Sequence, residues 1–222
     1  MEKKEFLNAI KKLRTDAKKR KFNQTFDFIV NLKNLDLKKP DNKVDLFLVL
    51  PHGIGKKRKL CAFVDGSLVT AAKKVFDKVL EEREFKIIGK NKREARKLAS
   101  QYNFFVAQAN LMPQVASAFG KILGPKGKMP NPKGGCVIPP KILNLEPIVK
   151  KLQKTIRIMT KNELSVKCPV GNESMTDEEV AENLAYVYTN LEHSLSQGKN
   201  NVRAVFLKLT MGSPVKVGES DE

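Results

Sequence analysis

The stretch Gly124-Pro125-Lys126-Gly127-Lys128-Met129-Pro130-Asn131-Pro132-Lys133 is the most unusual in the chain. Lys126, Lys128 and Lys133 project from a backbone that Pro and Gly hold extended or turned. Such an arrangement suits phosphate contact better than catalysis. It is not a Walker loop, because Ile122 stands where the first glycine is required and Met129 where Ser or Thr is required. A solvated surface loop is the other reading of the same residues.

Two further segments carry chemistry. Thr210-Met211-Gly212-Ser213-Pro214 combines a hydroxyl, a polarizable side chain and a glycine open to close backbone approach, groups suited to a ribose edge. A strand end running into a turn explains the same residues. Lys21-Phe22-Asn23-Gln24-Thr25 joins a helical segment to a strand, and Phe22 breaks the helical stripe. It is available for stacking on a base, or else packs as a core staple.

Nothing comparable supports catalysis or metal binding. His52 and His193 lie in different elements, and no carboxylate spacing pairs with either for acid–base work. His193 reads as a solvated helix residue. Asp177-Glu178-Glu179 is explained by favourable charge at a helix N-terminus. Cys61, Cys136 and Cys168 are odd in number and far apart, neither a disulfide framework nor paired zinc ligands, and read as buried free thiols in a reducing compartment. No cofactor, metal or catalytic residue is expected.

Charge points to polyanions. Over 222 residues, 42 Lys and Arg face 24 Asp and Glu, for a net charge of +18. With 41% hydrophobic residues the chain can bury a core, which excludes disorder throughout. The longest purely aliphatic and aromatic run, Leu46 to Leu50, is far short of a membrane span, and residues 1–21 are not a secretory signal. A soluble, cytoplasmic protein is expected.

The elements that must position these residues follow from periodicity. Phe6, Ile10, Leu13 and Ala17 form the stripe of an amphipathic helix, and Phe26, Phe28, Val30 and Leu32 alternate as a half-buried strand. Residues 44–50 read as a second strand, ended by Pro51-His52-Gly53-Ile54-Gly55. Further strands are expected at 60–64, 86–88 and 103–107. A turn at Asp65-Gly66-Ser67 is placed to cap a helix, and helices are expected over 91–101, from near Pro113, and over 147–154. Residues 124–140 hold too many Pro and Gly for a regular element. Strands at 155–160 and 164–170 look hairpin-like. Thr176 and Glu179 form a capping box for a helix burying Val180, Leu184, Val187, Leu191 and Leu195, and a strand spans 202–210.

Neither terminal third closes a core alone, whereas the middle alternates strand and helix as a parallel sheet does. The expected fold is therefore α/β with two domains: a discontinuous α/β sandwich (1–57 with 155–222) and an inserted Rossmann-like domain (58–154), with a hinge at the paired connections. The insert carries 20 basic and 7 acidic residues and the split domain 22 and 17, with positive charge concentrated toward the N-terminus.

With these segments assembled, the chain resembles the family of the universal large-subunit ribosomal protein one, the protein of the mobile side stalk. The carriers are Lys21 through Thr25, Leu50 through Lys56, Leu123 through Lys133, Pro169-Val170-Gly171 and Thr210-Met211-Gly212; Asn201-Val202-Arg203-Ala204 and the lysine-rich style resemble the archaeal branch. The resemblance covers essentially the whole chain. It implies a split domain that binds large-subunit ribosomal RNA through Lys21, Phe22, Thr25, Thr210, Met211 and Gly212. It also implies an insert that swings with the stalk as deacylated tRNA leaves the exit site, and repression of the protein's own mRNA through a mimic of the ribosomal site. Ala204 replaces a serine that bacterial relatives use. On this reading Gly212 and the strand-end backbone donate to ribose oxygens, Met211 and Phe22 press on apolar surface, and the insert's Lys126, Lys128 and Lys133 make secondary RNA or tRNA contacts. No obligate self-association is expected.

Two rivals belong to other classes. A nucleotide-dependent enzyme on the parallel-sheet insert lacks a P-loop and a dinucleotide-type glycine turn after Val64. A free-standing translational repressor would not sediment with ribosomes.

Overall fold

In the computed structural model, residues 3–18, 20–39, 42–139, 142, 144–160 and 163–218 are described. Lys19, one of the N-terminal cations, lies outside them. The chain divides into two compact units, Met1–Lys56 with Lys154–Glu222, and Lys57–Gln153.

The first unit begins with helix α1 (Lys3–Asp16), which buries Phe6, Ala9, Ile10 and Leu13 at helical spacing. Ala17, the last residue of the expected stripe, lies just past the helix end and is half-buried. Strand β1 (Thr25–Leu32) alternates strictly, with Phe26, Phe28, Val30 and Leu32 inward. Strand β2 (Asp45–Val49) follows before the Pro-Gly segment.

The second unit starts with β3 (Leu60–Phe63), a short turn capped by Asp65, α2 (Val69–Val75) and β4 (Lys78–Leu80). Helices α3 (Glu82–Lys90) and α4 (Lys92–Gln101) lead to β5 (Phe104–Gln108). Helix α5 (Met112–Leu123) starts with Pro in its first turn, and β6 (Val137–Ile138) and α6 (Glu146–Lys154) complete the insert. The strands run parallel in the order β4-β3-β5-β6. Alternate residues of β3 enter different cores: Leu60 and Ala62 on one face, Cys61 and Phe63 on the other. This is the double-sided burial of a doubly wound α/β sheet.

The chain then returns to the first unit with β7 (Thr155–Met159), β8 (Ser165–Asn172), α7 (Asp177–Ser194), β9 (Val202–Leu209) and β10 (Val215–Lys216). An antiparallel sheet of order β10-β9-β1-β8 places an N-terminal strand between two C-terminal ones. Helices α1 and α7 share its core, with Phe6 edge-on to Phe28 at 6.1 Å and to Tyr188 at 6.2 Å. Thr176 and Glu179 close a reciprocal capping box on α7.

Several expectations are corrected. Residues 86–88 lie inside α3, where Glu81 and Glu84 form a capping box and Phe85 and Ile88 share one face; three residues with only Ile87 and Ile88 apolar are too few to reveal the period. Strands β7 and β8 do not pair as a hairpin. β7 pairs with β2 and β8 with β1, because the partners come from the other chain end. The breaker-rich stretch 124–140 contains β6, which adds an edge strand beside β5. Strands β4 and β10, each of three residues or fewer, were not anticipated.

Candidate nucleic-acid interface

The candidate residues of the first unit converge because β1 and β9 are antiparallel neighbours: the residues entering β1 and those leaving β9 emerge at the same end of the sheet. The ladder continues one step past β9. Thr210 N–H donates to the Thr25 carbonyl at 3.1 Å, and Thr25 N–H donates to the Thr210 hydroxyl oxygen at 3.1 Å. That hydroxyl in turn donates to the Thr25 carbonyl at 3.3 Å.

Gln24 anchors the next residue. It is only 2% exposed, and its side-chain oxygen accepts from Met211 N–H at 3.2 Å. Its amide nitrogen donates to Glu173 at 2.9 Å, and its backbone N–H donates to the other oxygen of that carboxylate at 2.8 Å. Arg14 donates to the carbonyls of Glu173 and Met175 at 3.0 and 2.6 Å and pairs with Asp177 at 2.6 Å. A polar relay therefore runs from α1 through the β8–α7 connection to the tip that carries Met211. Sequence reasoning did not single out Gln24. The available signal was its phase: it continues the inward series Phe26, Phe28, Val30, where a polar residue needs buried partners.

Two large apolar side chains stay outside, Met211 on the anchored tip and Phe22 before the start of β1. Phe22 is 51% and Met211 62% exposed, and Lys18, Arg20 and Lys21 are exposed nearby in sequence. Phe22 is thus no core staple. The structure also corrects one part of the expected chemistry. Gly212 N–H donates to the Leu209 carbonyl at 2.9 Å, so the N–H groups of 210, 211 and 212 are all used within the protein. The carbonyls of Thr210, Met211 and Gly212, by contrast, accept no hydrogen bond among the described residues. A Cβ on Gly212 would sit 3.3 Å from that of Leu209, so glycine lets this turn close tightly.

In the second unit the three loop lysines differ. Lys128 donates to the carbonyls of Ala99 and Tyr102 at 2.8 and 2.7 Å, closing the end of α4, and partial burial together with the Lys126 charge lowers its pKa. Lys126 donates to the Ser100 hydroxyl at 2.9 Å, and Lys133 is exposed on a short turn. Lys126 and Lys133 are therefore the better placed for an outside anion.

His52 is less isolated than its sequence context suggests. Its Nε2 lies 2.7 Å from Glu182, which also bonds Lys3. The group is exposed, and no nucleophile adjoins it among the described residues. His193 is exposed, and the three cysteines are buried and not joined by disulfides. Among the described residues no cluster of His, Cys, Asp or Glu could hold a metal, and no helix is long and apolar enough to cross a membrane.

A family profile described as the ribosomal protein L1p/L10e family matches residues 11–213. The chain belongs to that family. It is a structural, non-enzymatic protein. Its relatives include the large ribosomal subunit protein uL1 of Thermococcus kodakarensis, 44% identical over 211 residues, covering 95% of each chain. The protein of the same name from Methanothermobacter thermautotrophicus is 40% identical over 214 residues, covering 96% of this chain and 98% of the relative. That of Methanocaldococcus jannaschii is 40% identical over 217 residues, covering 98% and 96%. These archaeal relatives agree with the archaeal character read from the sequence. Membership of the L1p/L10e family spans both ends of the chain and therefore the whole Thr25–Thr210 junction.

Proposed function

We propose that the chain is a structural constituent of the large ribosomal subunit, cytoplasmic and ribosome-associated, that binds large-subunit ribosomal RNA directly and forms the mobile side stalk. The observation carrying this reading is the joined patch itself. Residues 185 apart in sequence are locked together by Thr25 and Thr210, with Met211 exposed on anchored backbone and Phe22 exposed three residues before Thr25.

The chemistry of the patch favours RNA. Free carbonyls at 210–212 are acceptors, and a ribose 2′-hydroxyl can donate to them; DNA offers no such donor. Phe22 and Met211 press on sugar and base surface, Thr25 borders them, and Lys18, Arg20 and Lys21 add a salt-sensitive phosphate contribution without sequence information. The split unit supplies the specific site, while the more basic insert makes transient contacts through Lys126 and Lys133. Exit-site tRNA is the polyanion assigned to the insert, whose movement with the stalk assists release of deacylated tRNA. The same patch represses translation of the protein's own mRNA where that message mimics the ribosomal site.

Sucrose-gradient sedimentation of cell extract tests the central reading. The protein is expected to travel with large subunits and to leave them on a high-salt wash. A protein found only in the light fractions refutes the structural role and favours the free repressor. Crosslinks to ribosomal RNA that map only to residues 57–153 refute the site assignment.

A further inference from the structure

A groove of about 290 Å³ opens between the C-terminal end of α1 and the chain leaving β9. Small-molecule sites span roughly 300–1,000 Å³, so this one accommodates a single heterocycle rather than a stacked pair. Leu209 and Ala17 supply apolar wall, Met211 stands at its margin, and Lys18 and Arg20 supply cations. Asp16 completes the lining and is the anomaly.

An acid at the last residue of a helix works against the helix dipole, so Asp16 is not there to stabilise α1. It is exposed, and its side chain forms no ion pair or hydrogen bond among the described residues, although two cations share its groove. An anion is also the wrong sign for a phosphate backbone. A carboxylate beside RNA is useful where it accepts from base N–H groups. Its two oxygens match a parallel pair of donors, which the Watson–Crick edge of guanine presents as N1–H and N2–H.

We propose that this groove takes one unpaired guanine of the bound RNA, with Asp16 accepting from N1–H and N2–H. Met211 and Ala17 lie against the base, and Lys18 and Arg20 hold the flanking phosphates. The inference rests on the RNA-binding reading above and adds a base-specific contact to a patch otherwise suited to ribose and backbone.

The test uses the full-length protein and a transcript of the stalk region of large-subunit ribosomal RNA. A second transcript carries inosine in place of guanine, which removes the N2 amino group. Asp16→Asn is expected to bind the first transcript about tenfold more weakly than wild type. Inosine should cost the wild type a comparable factor and cost Asp16→Asn about twofold at most, because the two changes remove the same contact. Equal or tighter binding by Asp16→Asn overturns the inference, since loss of a repelling anion then explains the result. Undiminished inosine sensitivity in Asp16→Asn overturns it as well. If Met211→Ala weakens binding while Asp16→Asn does not, the RNA patch stands and the groove assignment falls. A wild-type protein that does not bind the transcript overturns both.

Discussion

Truncation of Met211 separates a built recognition surface from a merely basic one. Its side chain is 62% exposed, while its backbone N–H is held by Gln24 at 3.2 Å. Met211→Ala therefore removes exposed apolar surface and leaves the tip's anchoring intact. Fully burying a methionine is worth about 1.5–3 kcal/mol relative to leaving it exposed. With 62% still open, RNA can gain at most about 1–2 kcal/mol from it. Ordering the flexible side chain offsets part of this, so a loss of roughly tenfold in affinity is expected.

The assay is filter binding or gel shift with the stalk-region transcript at several potassium chloride concentrations, alongside thermal melts. Affinity should fall by the same factor at every salt concentration, because no charge is removed. The melting temperature should match wild type. Gln24→Ala supplies the contrast. It leaves Met211 N–H without its partner and removes the side-chain donor to Glu173 while keeping the backbone one, so both stability and binding should fall, stability by about 1–3 kcal/mol. Unchanged affinity in a fully folded Met211→Ala, or a loss that disappears at high salt, would refute the reasoning.

Three further outcomes follow from the same geometry. Lys18→Gln should lower the salt slope of RNA binding by about one and weaken cognate and unrelated RNA alike, read from the same titrations. Asn183 is fully buried, donates to the carbonyls of Gly53 and Val170 at 2.7 and 2.8 Å, and accepts from His52 N–H at 3.2 Å; Asn183→Ala should cost about 2–4 kcal/mol in urea unfolding by stranding those groups. Burial pushes the Cys61 and Cys168 thiols up to about 12, so both stay protonated at pH 8. Native protein should resist iodoacetamide there and react at both positions once unfolded, as measured by mass spectrometry.

How far the sequence reveals this architecture depends on whether the deciding interaction is local. α1, β1 and α7 were legible because each writes its burial on its own residues: a helical stripe from Phe6 to Leu13, strict alternation from Phe26 to Leu32, and the Thr176–Glu179 box. The failures involve partners distant in sequence. Residues 155–160 and 164–170 look like a hairpin because hairpins are the commonest way to satisfy two nearby strands. Their actual partners are β2 and β1, which no local pattern encodes. Residues 86–88 show the opposite difficulty, since Ile87 and Ile88 suggest a strand until Phe85 and the flanking caps set the helical phase.

The candidate site follows the same division. Residue types at 22, 25 and 210–212 could be read, but the direction of the hydrogen bonds could not, because it depends on the pairing of ends far apart in sequence. That pairing uses the N–H groups of 210 and 211, the local turn uses that of 212, and the three carbonyls accept no hydrogen bond among the described residues. An interface of acceptors needs a ligand rich in donors, and on a nucleic acid the sugar hydroxyl and the base N–H groups are those donors. These carbonyls and Asp16 thus share one polarity, that of acceptors. On the proposed reading, lysines draw the strand in by charge and the acceptors determine which part of it fits.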